Sequence, residues 1–118
     1  MRIDQFLLRR FDAPDEVRQF PLGRFELVRV GEVTIGRATY EPGWRWSEHV
    51  GHSPEDRCRV EHLGVVLSGQ VAVAGDGYDE VLGPGDIFAV PPGHDSWVVG
   101  DAPYVSLHIL GSEEYAAG

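Results

Sequence analysis

Gly83-Pro84-Gly85-Asp86-Ile87-Phe88-Ala89-Val90-Pro91-Pro92-Gly93-His94 reads as turn, strand, turn within one short span. Pro84 fixes one backbone angle and the flanking glycines permit the others, so the chain reverses sharply there. Asp86 belongs to that reversal, where a short carboxylate bonds its own backbone. Ile87 to Val90 is an apolar run too short for a helix and bounded by breakers, which is the pattern of a strand. Pro91-Pro92-Gly93 turns the chain again. No Lys followed by Ser or Thr comes after these glycines, so the stretch is a turn and not a phosphate cradle.

The same rhythm continues outward. Strand-like runs occupy Arg24 to Val30, Glu32 to Tyr40, Val60 to Leu67, Gln70 to Ala74, Tyr78 to Leu82, Ser96 to Val99 and Tyr104 to Leu110. Gly75-Asp76-Gly77 supplies the positive backbone angles of a tight hairpin. In Val71-Ala72-Val73-Ala74 and Val105-Ser106-Leu107-His108-Ile109 the apolar residues alternate as a half-buried strand requires, which places Val105, Leu107 and Ile109 on one face. Ala13 to Phe20 is expected to form a short helical turn after Asp12. No long segment carries a 3.6-residue period. Roughly eight short strands at close spacing predict an all-β sandwich or barrel.

The chain has 118 residues, which suits one domain. Its formal net charge of -9 repels phosphate backbones and argues against nucleic-acid binding. No apolar run reaches the roughly 20 residues that span a bilayer, which argues against a membrane role. The start, Met1 to Glu16, mixes charges into its apolar residues and does not read as a signal peptide, so a cytoplasmic location is expected. The single cysteine, Cys58, has no partner for an internal disulfide. It is a buried thiol, a metal ligand or a reactive group.

Two stretches together resemble the cupin superfamily, in particular small single-domain bacterial cupins of type-2 character. One is Pro42-Gly43-Trp44-Arg45-Trp46-Ser47-Glu48-His49 with the later Val65-Val66-Leu67-Ser68-Gly69. The other is Gly83 to His94. The likeness runs from about Val33 to Leu110 and implies a double-stranded β-helix, or jelly roll. It divides the single domain into an N-terminal arm (1–23), a barrel (24–110) and a tail (111–118). It also implies a metal held by two His and a Glu from the first motif and one His from the second. His49 stands at the first His position, counted from Gly43. His62 stands where the Glu belongs, counted back from Gly69. The second His position falls on Gly51 counted forward, or on Cys58 or a neighbour counted back. The second motif's His falls on Ser96, with His94 two residues away.

The metal candidates are therefore His49, Cys58, His62 and His94. Cys58 and His62 share a face if that segment is a strand. Thiolate with imidazole points to Zn²⁺, with three protein ligands and one open position. Fe²⁺ is the alternative, and would more naturally take two His and a carboxylate, from Glu48 or Glu61. Trp44, Trp46 and Trp97 either belong to the core or wall a pocket for a small molecule. Arg45 and Arg57 bind a carboxylate there or are solvated charges. Ser96 lines the cavity in place of the motif histidine. His52 and His108 rank below the others, and Glu48, His94 and Asp95 are the candidate general bases. Three functions fit. One is a metal-dependent enzyme acting on a small molecule. Another is a non-catalytic ligand-binding or sensing module. The last is a structural module acting through homodimers, with Phe25 to Val30 pairing against the partner chain.

Overall fold

The computed structural model describes residues 2–117. Nine strands form two antiparallel sheets. β1 (Glu16–Phe20), β2 (Gly23–Val30), β3 (Val33–Tyr40), β4 (His62–Ser68), β7 (Ile87–Val90) and β9 (Tyr104–Leu110) make a six-stranded sheet in the order β1-β2-β3-β9-β4-β7. β5 (Gln70–Gly75), β6 (Tyr78–Leu82) and β8 (Asp95–Val99) make a three-stranded sheet in the order β6-β5-β8. Among the described residues the one helical segment is a single turn, α1 (Trp46–His49). The buried core joins Phe25, Leu27 and Tyr40 of the larger sheet to Val71, Val73 and Val98 of the smaller. This is the jelly roll the sequence predicts.

Each run read from the sequence is a strand, with ends displaced by at most about two residues. The turns behave as their composition demands. Asp86 closes its reversal by accepting the Gly83 N–H at 2.8 Å. Gly93 lies at φ 96, a conformation that favours glycine, and this delivers the chain from β7 toward His94.

Two features differ from expectation, and a third settles what the sequence left open. First, Glu16–Phe20 is the strand β1 and not a helical turn. It pairs with β2, with Val17 opposite Glu26 and Arg18 opposite Phe25. Ladder bonds to a neighbouring strand outweigh the weak local preference of five residues. Secondly, β2 lies between β1 and β3, and β1 pairs with it as far as Leu27, so Phe25 to Leu27 have no free edge for a partner chain and only Val28 to Val30 lie beyond β1. Thirdly, the inward faces of β4 and β9 are the polar ones. His62, Gly64 and Val66 point inward on β4, and Tyr104, Ser106 and His108 do so on β9. The apolar residues Leu63, Leu67 and Ile109 are exposed.

The tail is held to the barrel. The Arg18 guanidinium donates to the carbonyls of Ser112, Glu113 and Tyr115 at 3.2, 2.8 and 2.7 Å. Tyr115 is thereby buried against Phe25, with ring centroids 4.8 Å apart, and its hydroxyl lies 2.7 Å from that of Tyr40.

Candidate metal centre

Three polar side chains meet between the two sheets. One ligand atom from each of Cys58, His62 and His94 lies within 4.8 Å of the other two, and all three residues are buried. The local backbone explains the meeting. Cys58 and His94 form an isolated antiparallel bridge, in which the Cys58 N–H donates to the His94 carbonyl at 2.8 Å and the Gly93 N–H donates to the Cys58 carbonyl at 2.7 Å. The turn at Pro91-Pro92-Gly93 therefore carries His94 alongside Cys58. His62 opens β4, directly paired with Val90 of β7.

Ligand atoms 2.0–2.3 Å from a tetrahedral zinc stand roughly 3.3–3.8 Å apart. Cys58 Sγ and His62 Nε2 are already at 3.5 Å. His94 is oriented as a ligand would be. Its Nδ1 faces the Pro91 carbonyl at 2.8 Å, and a carbonyl only accepts. Nδ1 therefore carries the proton and Nε2 keeps its lone pair, the tautomer that metal-bound histidines adopt.

Electrostatics agree. Burial lowers the His62 pKa to about 2, helped by repulsion from His108 and His94. Burial likewise lowers His94, and brings His108 down to about 4 with help from His94. All three imidazoles are thus neutral, the form that binds metals. Burial raises the Cys58 thiol to about 11, with further contributions from Asp56 and Asp95, so without a cation it stays protonated. A bound cation reverses that penalty and releases the proton. A buried set of one thiol and two neutral imidazoles, with no basic side chain among its members, suits a divalent metal.

The remaining candidates separate. His49 does not join the group: among the described residues the cluster contains Cys58, His62 and His94 alone. The chain coils into α1 just before His49, and its Nδ1 accepts the Arg45 N–H at 2.9 Å. It borders an outer cleft of about 390 Å³ that also reaches Cys58, Trp46 and Tyr115. Glu48 and Glu61 are exposed and outside the cluster, so neither supplies the carboxylate of an iron site. His52 lies on an exposed loop.

Trp44 does not line a pocket. It is fully buried, stacked on Tyr40 with ring centroids 3.7 Å apart. Arg45 and Trp97 lie together on the outside of the smaller sheet, where the guanidinium caps the indole at 4.4 Å, and border a surface pocket shared with Arg57. Trp46 and Ser96 do line the inner cavity beside His62 and His94. Asp95 is not a free base. Its carboxylate accepts from the Ser47 N–H (3.0 Å), the Ser47 hydroxyl (2.8 Å), the Ser96 N–H (3.0 Å) and Arg45 Nε (2.9 Å). It anchors α1.

Two residues gain importance: His108, which the sequence ranked low, and Tyr115, which it did not signal. His108 lines the inner cavity, with its ring edge-on to His62 at 5.1 Å. Tyr115 lines both the cavity and the outer cleft. His108 sits at an inward position of β9, on a parity whose direction the alternation leaves open. Tyr115 follows Glu113-Glu114 in a segment with no strand pattern.

No protein-family model and no curated protein matches the chain by sequence. Solved structures match by shape. A protein of unknown function from Rhizobium leguminosarum bv. viciae superposes with a TM-score of 0.64 at 21% identity, over 93% of this chain and 97% of that one. A cupin-2 domain protein from Rhodospirillum rubrum gives 0.59 at 14% identity, over 91% and 68%. Oxalate decarboxylase from Bacillus subtilis gives 0.58 at 20% identity, and there the match spans 83% of this chain but only 28% of the enzyme. Likeness at these identities carries architecture and not chemistry, and by that architecture the chain is a cupin-fold protein.

Proposed function

We propose that this cupin binds one divalent metal, zinc in the first place, through Cys58, His62 and His94, and presents it to a small molecule. The convergence of three buried ligand atoms within 4.8 Å carries the reading. The thiol selects zinc over iron, because the set has no carboxylate. Three protein ligands leave the fourth position open. Zinc so held supplies a Lewis acid that polarises an oxygen or acidifies a bound water. The protein's own part is to exclude solvent with Tyr115 and Trp46, to fix the His94 tautomer through Pro91, and to keep the imidazoles neutral. With it we propose a cytoplasmic location, where thiols stay reduced.

The test is elemental analysis of untagged protein. About one zinc per chain is expected. Cys58→Ala, His62→Ala and His94→Ala should each lose most of it, whereas His49→Ala should keep it. Full zinc retention by Cys58→Ala would remove the thiolate from the site. A non-catalytic binding module is the second reading, favoured by the absence of any carboxylate among the described residues of the inner cavity wall. Zinc-loaded protein that binds small molecules yet turns none over would establish it.

We also propose a homodimer. Leu63, Leu67, Ile87, Ile109 and Leu110 are exposed on adjacent strands β4, β7 and β9 of the larger sheet. A contiguous apolar face of this kind is commonly an interface. Light scattering should give about twice the 13.0 kDa chain mass, and Ile87→Glu should bring it toward the monomer. A wild-type mass of one chain would end the proposal.

A further inference from the structure

Beside His62 and His94 lies a partly open cavity of about 40 Å³, bordered also by His108, Trp46, Ser96 and Tyr115 with aliphatic residues of both sheets. A water occupies roughly 10–15 Å³ on this measure, so the space admits about three small atoms. No Lys, Arg, Asp or Glu lines it. Its walls therefore carry no charge that would bind a polyanion or a cation.

The walls do carry unsatisfied polar atoms. Nδ1 of His62, Nδ1 of His108 and Nε1 of Trp46 are buried without a hydrogen-bond partner. Most buried polar atoms have partners, because an unmade bond is costly in a dry interior. His108 is the informative one. It is 94% buried, its relative exposure being 6%. Its Nε2 is engaged by Ser106 Oγ at 2.9 Å, and Ser106 has no exposure of its own. It stands outside the group of three ligands. Nδ1 of His108 is thus committed neither to the metal site nor to the protein. The Ser106 hydroxyl both donates and accepts, so His108 can present either an acceptor or an N–H at Nδ1.

Resting on the triad reading above, we infer that the cavity is a binding site for a neutral or singly negative molecule of about two or three non-hydrogen atoms, held between the triad's metal and Nδ1 of His108. Thiolate and two imidazoles around a divalent cation leave one positive charge, which one negative charge balances. His108 is then a positioning and selectivity residue: it grips the far end of the molecule, while the cavity's size rejects larger ones.

Azide, with three atoms and one negative charge, is the probe, and benzoate is the oversized control. The full chain is loaded with Co²⁺ and its visible absorption is followed during titration. Azide should shift the cobalt bands and saturate, while benzoate at the same concentrations leaves them unchanged. His108→Phe keeps an aromatic ring between Phe25 and Phe88, whose ring centroids lie 5.3 and 5.4 Å from that of His108. It should take up one cobalt as before and bind azide at least about tenfold more weakly, the loss of one hydrogen bond. His108→Asn, whose short amide reaches the region of Nδ1, should recover most of that loss. Unchanged azide affinity in His108→Phe, or benzoate binding like azide, overturns the inference and leaves the metal site standing. Failure of the wild type to take up cobalt overturns the metal site and the inference with it. If His108→Phe does not fold, wild-type protein that responds to benzoate as to azide is sufficient to reject it.

Discussion

At the scale of single residues, the site is shaped by burial acting on titratable groups. His62 and His108 have their pKa values lowered to about 2 and about 4, against 6.5 when unconstrained. Below pH 6.5 the unfolded chain binds protons that these folded side chains refuse. Stability is therefore full above that pH and falls as the pH drops toward the folded values, by up to about 1.4 kcal/mol per pH unit for each histidine. Chelator-treated protein should show a clearly lower urea midpoint at pH 5 than at pH 7, with an unchanged slope. Equal midpoints would mean that the imidazoles are not held neutral by the fold. The Cys58 thiol, raised to about 11, is protonated in both states across this range and contributes nothing to the change.

At the scale of elements, a one-turn helix is too short to stand on its own. α1 is held by Asp95 of β8, which collects the Ser47 N–H, the Ser47 hydroxyl and the Arg45 guanidinium. Asp95→Ala strands these donors and should cost about 2–4 kcal/mol, measured by thermal or urea unfolding. Arg45→Ala should cost less than about 1 kcal/mol, because its side chain is 40% exposed and solvent screens the pair. A loss for Arg45→Ala as large as that for Asp95→Ala would contradict this account of α1. The strands teach a second point. The alternation of β9 was legible, but which parity faces inward was not. The apolar residues Val105, Leu107 and Ile109 suggest one answer, and the buried Ser106 and His108 are the opposite one. Alternation specifies two faces and does not say which encloses a site. Where the interior holds polar ligands, the greasier face is the outer one.

At the scale of the whole molecule, the chain's two ends close the barrel. Arg18 of β1 binds the tail carbonyls and seats Tyr115 over the core beside His62, with ring centroids 5.1 Å apart. Tyr115→Ala should cost about 3–5 kcal/mol, as deletion of a large buried aromatic does. Tyr115→Phe, which loses only the hydroxyl contact with Tyr40, should cost about 1 kcal/mol. Similar modest losses for both, read from unfolding curves, would show that the tail is peripheral. The sequence by itself determined the all-β class and the places of eight strands and their turns, because glycine, proline and alternating apolar residues act through local backbone sterics and short-range pairing, while the jelly roll was implied by the resemblance of its two motifs to cupins. It also marked Cys58, His62 and His94 as residues with ligand chemistry. Only the tertiary structure decided that these three meet while His49 stays apart, that Trp44 is core, that Asp95 is an anchor, and that His108 and Tyr115 reach the site. Those outcomes depend on the Cys58–His94 bridge, on the anchoring of α1 by Asp95 and on the docking of the tail, contacts between residues far apart in the chain that no local pattern encodes.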